Sequence, residues 1–162
     1  MHQIIQPKIH YYGTPVVLLS TLNEDGIANL APMSSAWWLG QSCLLGLSTR
    51  GQTFANLHRQ GEAVLNLASS DLAAAVNRLA MTTGMSPVPG YKQAIGTEYV
   101  RDKFARAGMT PLTSDLVGPP RVQEYRVGWR SASDGKRYFL QRGRDIVAQR
   151  LVDRRARHRD PA

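Results

Sequence analysis

Pro15-Val16-Val17-Leu18-Leu19-Ser20-Thr21 is a short apolar run that leads into Asn23-Glu24-Asp25-Gly26, a cluster of turn residues. A run this short and this rich in Val and Leu predicts a strand buried on both faces. The turn cluster predicts a hairpin, with Gly26 available for positive φ. Ile27 to Leu39 is then the return strand, and Pro32 inside it belongs at a bulge or on an unpaired edge because it has no N–H. Trp37 and Trp38 are adjacent on that strand and point to opposite faces. One of them belongs to the core, and the other is exposed unless a partner surface covers it.

Working outward, Gly40-Gln41-Ser42 turns the chain into a third strand, Cys43 to Ser48. Gln52 to Arg59 reads as a short helix that starts after Gly51 and closes at Gly61. Ala63 to Ala68 returns as a strand. Asp71 is placed to cap a second helix, Leu72 to Met81, in which Leu72, Val76 and Leu79 recur at helical spacing. Gly84 to Gly96, with Pro87 and Pro89, is a long loop. Thr97 to Ala107 holds a helical turn or two, stopped by Gly108, and Thr110 to Pro120 is again punctuated by proline. Short links between strands favour an antiparallel sheet curling into a small barrel, so the fold class is mainly β with short helices.

The 162 residues fit one domain with a real core. The formal net charge of +8 would suggest nucleic acid if read alone. Its distribution says otherwise: residues 1–124 carry 9 Lys/Arg against 8 Asp/Glu, and residues 125–162 carry 11 against 4. The body is nearly neutral and the charge sits in the tail, where a basic nucleic-acid arm is the lesser reading. Cys43 is the only cysteine, in an apolar run without a basic neighbour, and reads as a buried thiol rather than a nucleophile. The N-terminus lacks the apolar stretch of a signal peptide and no run is long enough to span a membrane, so the expected location is cytoplasmic.

Most catalytic templates are missing. There is no glycine-flanked serine elbow, Walker loop or dinucleotide fingerprint, and no paired carboxylates. The histidines at 2, 10, 58 and 158 lack metal-ligand spacing, so neither a catalytic residue nor a metal ligand is expected. Two segments carry sharper signals. In the first, a strand ends at Ser48, Thr49-Arg50-Gly51 turns, and a helix begins near Gln52. Amides at a helix start attract anions, Arg50 can grip a phosphate, and Thr53 and Asn56 share a helix face. A plainer alternative has Ser48 and Thr49 capping the helix and Arg50 solvated. In the second, the small side chains of Asn29 to Ser35 around Pro32 leave backbone amides reachable by the edge of a flat ring. A bulged edge strand with surface serines accounts for the same residues.

Asn-Leu-Ala-Pro-Met-Ser-Ser (29–35), Leu-Gly-Leu-Ser-Thr-Arg (45–50), Thr-x-x-Asn-Leu (53–57) and Val-Leu-Asn-Leu (64–67) together resemble the flavin reductase family of FMN-binding split-barrel proteins. Tyr99 to Pro120 is similar to a loop of that family that borders the flavin, especially at Lys103-Phe104 and Gly108-Met109-Thr110-Pro111. The likeness covers about residues 10–124. It implies a split β-barrel homodimer that binds FMN noncovalently near the subunit interface. On this resemblance Ser34, Ser35 and the amides around Met33 meet the isoalloxazine edge. Ser48, Thr49, Arg50, Thr53 and Asn56 hold the phosphate, while Asn29 and Phe104 shape the pocket. The implied activity is an NAD(P)H-dependent flavin reductase passing hydride from nicotinamide to FMN, with a flavin-dependent oxygenase as one acceptor of the reduced flavin. The alternatives are an FMN-binding electron-transfer module and a degraded member without activity.

The resemblance defines a flavin reductase-like domain over 1–124 and stops near Glu124. Family members continue with further barrel strands, whereas residues 125–162 are Arg-, Asp- and Gly-rich with little strand alternation. This basic C-terminal segment is atypical. We read it as truncated or frame-altered, leaving the barrel incomplete; the alternatives are a helix from Ile146 to Arg157 or a disordered basic arm.

Overall fold

The computed structural model describes residues 15–39, 42–125, 128–132, 138–140 and 146–153. The turn at 40–41 and the arginine run at 154–159 lie outside them. The first strands are β1 (Val17–Leu22), β2 (Ala28–Met33), β3 (Ala36–Leu39) and β4 (Ser42–Ser48). Helix α1 (Gln52–Gln60) and β5 (Glu62–Leu67) follow. A 3-10 turn at Ser70–Leu72 precedes α2 (Ala73–Asn77), β6 (Thr82–Thr83), α3 (Gly90–Gln93), β7 (Glu98–Tyr99) and α4 (Lys103–Ala107). Then come β8 (Pro111–Leu112), β9 (Arg121–Val122), β10 (Gly128–Ala132), β11 (Tyr138–Leu140) and β12 (Ile146–Asp153).

The main sheet runs β2-β1-β5-β10-β12-β4-β3, with β11 also paired to β12. All its pairings are antiparallel. Consecutive strands β2 and β3 are the two ends of this order, so the barrel is split between them. The hairpin forms as expected: Asn23 N donates to the Ile27 carbonyl at 2.9 Å and Asp25 Oδ1 accepts from Ile27 N at 3.1 Å. Gly26 takes φ 78°, a conformation that only glycine adopts without strain. Pro32 lies opposite Leu18 on β2, an edge strand that pairs with β1 alone, which is where a sheet tolerates a proline.

Because β1 alternates, it feeds two cores. Val17 and Leu19 join Ala36, Cys43, Leu45, Leu47, Leu57, Ala63 and Leu65 on the inner face, under α1. Leu18 joins Leu30, Val76, Leu79, Phe104, Met109, Val122 and Tyr125 on the outer face, under α2 and α4. The two-faced burial expected of this strand is therefore literal. Trp38 packs against the inner core, while Trp37 is 49% exposed. Cys43 is buried, and burial pushes its thiol up to about 12, which leaves it un-ionised near neutrality.

Four expectations are corrected. The return strand is two strands, β2 and β3, broken at Ser34-Ser35, where the chain crosses the split. Asp71 does not cap a helix over 72–81. It sits inside the 3-10 turn, and α2 is shorter, ending at Asn77. The loop over 84–96 contains α3. Ile146 to Asp153 is a strand, not a helix, and β10 and β12 lie between β5 and β4. The physical reason is edge pairing: without β10 and β12, both β5 and β4 would present unpaired backbone.

Candidate functional site

The sheet register brings the two sequence signals together. Ala36 pairs with Leu45, and Gly46 N donates to the Ser35 carbonyl at 2.7 Å. The crossing at Ser34-Ser35 therefore lies beside the last residues of β4, from which Ser48, Thr49 and Arg50 project. A Cβ on Gly46 would come within 2.9 Å of Ser35 Cβ, so a glycine there allows the close approach.

Ser48 shapes the turn. Its Oγ accepts from Arg50 N at 3.3 Å and its carbonyl accepts from Gly51 N at 3.1 Å. Gly51 is the N-cap of α1, so the first-turn amides lack the acceptor that a side-chain cap would supply. Arg50 is exposed on this turn. Its guanidinium lies 4.6 Å from the centroid of the Tyr91 ring, and Tyr91 Oη donates to the Arg50 carbonyl at 2.9 Å.

Along the outer edge of β2 runs a groove of about 240 Å³, lined by Val16, Pro32, Met33, Ser34, Val76, Asn77 and Ala80. It adjoins a second groove of about 370 Å³ that shares Val16, Val76 and Asn77 and extends past Ala68, Ser69, Ser70 and Ala73. No ionisable side chain lines either groove among the described residues. The neutral slot ends at Ser34, next to the Ser35 carbonyl that Gly46 N holds, and the strand from Gly46 leads into a cationic, amide-rich turn; a flat ring carrying an anionic tail suits this pair of features. The groove on the other side of the α1 start contains Glu24 and Asp25, whose like charge disfavours a phosphate there.

Met33 and Ser34 thus line the neutral groove, Ser35 is held against Gly46, and Ser48, Thr49 and Arg50 lie two to four residues further on, in the turn before α1. Asn29, Thr53 and Asn56 lie beneath it and bond to one another's neighbours. Asn29 Nδ2 donates to Thr21 Oγ1 at 3.4 Å and Thr53 Oγ1 at 3.2 Å. Asn56 Nδ2 donates to Thr21 Oγ1 at 3.0 Å and Asn23 Oδ1 at 2.9 Å, while Asn56 Oδ1 accepts from Gln52 Nε2 at 2.9 Å. This buried network locks α1 to the hairpin and so aims the turn above it. Phe104 is buried in the outer core, away from the turn.

Three residues that motif reading left unassigned support the same region. Lys103 is 4% exposed and its Nζ donates to the Leu30 carbonyl at 3.0 Å, capping the free edge of β2. Burial first, then the charge of Lys92, bring its ammonium down to about 8. Asn66 bridges Leu18 and Val122, and Tyr91 engages Arg50. The Lys-Phe pair was visible in the sequence, but its burial was not.

Gly84 packs where β6 ends against this network. A Cβ at Gly84 would fall 2.7 Å from Asn29 Oδ1 and 3.1 Å from Gln52 Cγ. Asn29 is tied to Thr21 and Thr53 and cannot swing aside without breaking those bonds. Gly84→Ala is expected to cost about 1–3 kcal/mol by overpacking, read as a lowered thermal midpoint. An unchanged midpoint would show that the network yields.

No protein-family profile matches the chain. The uncharacterized protein YdfE of Bacillus subtilis (strain 168) is 46% identical over 120 residues, which is 74% of this chain and 58% of YdfE. The chain therefore spans less than two thirds of that relative. Among solved structures, flavoredoxin of Desulfovibrio vulgaris (Miyazaki F) superposes with a TM-score of 0.74 at 17% identity, covering 95% of this chain and 74% of that one. Nitrilotriacetate monooxygenase component B from Bacillus cereus gives 0.67 at 18% identity, covering 89% and 68%. A protein assigned as a flavin reductase with a split barrel domain, from Shewanella frigidimarina NCIMB 400, gives 0.65 at 18% identity, covering 86% and 65%. The chain has the flavin reductase-like split-barrel fold. Among the described residues, no helix is long and apolar enough to cross a membrane.

Proposed function

We propose that this chain binds FMN noncovalently and acts as an NAD(P)H-dependent flavin reductase. The observation that supports the proposal is the register that sets the Ser34-Ser35 crossing, which the neutral groove reaches at Ser34, against Gly46, two residues before the Ser48–Gly51 turn. In this reading Arg50 and the first amides of α1 hold the phosphate. The backbone around Met33, with Ser34 and Ser35, meets the polar edge of the ring. Bound flavin supplies the hydride-accepting chemistry. The chain's own contribution is position: the Asn29–Thr53–Asn56 network fixes the turn, and the apolar walls exclude water from one side of the ring. A residue that moves a proton is not required, which fits the neutral side chains that line the two grooves beside β2 among the described residues.

A second subunit over Trp37 completes the proposal, since a large aromatic side chain half in water is a natural interface anchor. The likeness to nitrilotriacetate monooxygenase component B supports an oxygenase as acceptor of reduced flavin. The likeness to flavoredoxin supports the alternative of an electron carrier.

Anaerobic titration of the purified chain with FMN and then NADH or NADPH tests this. A flavin absorbance band that bleaches with the nicotinamide supports the reductase. A band that persists leaves the carrier, and a protein that takes up no FMN ends both. Arg50→Ala is expected to weaken FMN binding by about 1–2 kcal/mol, or roughly 5- to 30-fold, because an exposed charge-assisted contact is lost. Unchanged affinity would place the phosphate elsewhere.

A further inference from the structure

Helix α3 lies within the loop that sequence patterns left featureless, and it is fastened at both sides. Lys92 Nζ donates to Thr83 Oγ1 at 3.0 Å, and Thr97 N donates to the Lys92 carbonyl at 3.0 Å. Pro87 and Pro89 restrict the approach to the helix. On the opposite side Tyr91 reaches the turn before α1. Its hydroxyl holds the Arg50 carbonyl at 2.9 Å and its ring underlies the Arg50 guanidinium at 4.6 Å. Gln52, one residue past the N-cap, in turn rests against Gly84, so the loop touches both flanks of the turn.

An arginine on a tight exposed turn samples many rotamers, and a phosphate contact must first overcome that freedom. Stacking engages only the face of the guanidinium and leaves to its in-plane edge the N–H geometry through which a guanidinium grips a phosphate. The Tyr91 hydroxyl meanwhile fixes the backbone on which the side chain is mounted. Both contacts act on the group that meets the anionic tail, and neither touches the ring groove beside Pro32.

We infer that Tyr91 is a positioning residue that holds Arg50 ready for a terminal phosphate, and that through it the site selects a phosphorylated flavin over the unphosphorylated one. The inference rests on the flavin reading above. Its signature is selectivity: loss of Tyr91 weakens the ligand with a phosphate and spares the ligand without one.

The test uses the full chain and two probes, FMN and riboflavin, with dissociation constants from flavin fluorescence for wild type, Tyr91→Phe and Tyr91→Leu. Tyr91→Leu is expected to weaken FMN roughly 5- to 10-fold, through loss of one cation–π contact and one hydrogen bond, and to leave riboflavin within about twofold. Tyr91→Phe keeps the ring and falls between. In an Arg50→Ala background, Tyr91→Leu is expected to add nothing, whereas a merely structural role would persist there. FMN affinity unchanged in Tyr91→Leu, riboflavin weakened in step with FMN, or an undiminished effect in Arg50→Ala overturns the inference while leaving the flavin reading intact. A wild type that binds neither probe defeats that reading, and the inference with it.

Discussion

Asn66→Ala is expected to lower the unfolding free energy by about 3 kcal/mol. Asn66 is 1% exposed, and both ends of its amide are used. Nδ2 donates to the Leu18 carbonyl at 3.0 Å and Oδ1 accepts from Val122 N at 3.0 Å. Leu18 lies directly opposite Asn66 on the neighbouring strand β5, so the amide reaches its carbonyl across the pair. Truncation therefore strands two buried backbone groups, each costing about 1–3 kcal/mol when unpaired. In a chain of this size that corresponds to a midpoint drop of roughly 10 °C. Urea unfolding with an unchanged slope is the check. A loss below about 1 kcal/mol would mean that water replaces both bonds, and that the 109–125 segment is held by its apolar contacts and by the bond from Gly118 N to Glu62 Oε2.

The second large effect depends on pH. Lys103 carries an ammonium in the outer core, where burial and then Lys92 depress it from 10.5 to about 8. The unfolded chain takes up its proton near 10.5, but the folded chain waits until about 8. Between those values the unfolded state binds more protons, so this residue's contribution to stability is complete above 10.5 and is lost as pH falls through 8. Across that window the change is on the order of 3 kcal/mol. Cys43 works oppositely from about 9 upward, because its buried thiol stays protonated to about 12. Comparison with Lys103→Met removes that overlap. The advantage of the variant over wild type is expected to shrink by about 3 kcal/mol from pH 8 to 10.5. A constant difference would show that the ammonium is solvated rather than buried against Leu30.

Local chemistry was legible wherever it decided the structure by itself. The Val-Leu run and Asn23–Gly26 gave β1 and its hairpin, since strand burial and turn φ are set within a few residues. Gly51 and Gly61 bracketed α1, and the two tryptophans parted as alternation requires. At the site, Ser48 to Arg50 and Met33 to Ser35 stood out as small or polar residues next to a proline and a helix start.

Residues whose direction depends on distant partners were not legible. Spacing put Thr53 and Asn56 on one helix face but could not say that Thr21, Asn23 and Asn29 would meet that face. Phe104 sat in a motif, and its outer-core position follows only from α4 packing on β2. Tyr91 looked like one more loop residue because Arg50 is far from it in sequence.

Composition and pattern by themselves determined a small β-rich domain with a cysteine kept out of chemistry and a cationic turn before a short helix. Those properties follow from side-chain volume, φ preference and charge, which act within one or two turns of chain. Tertiary structure alone decided that β10 and β12 sit between β5 and β4, that three polar side chains support the turn from below, and that a lysine seals the open edge of β2. Each of these depends on which backbone groups would otherwise lack a partner, and that is settled only when strands distant in sequence come to lie side by side.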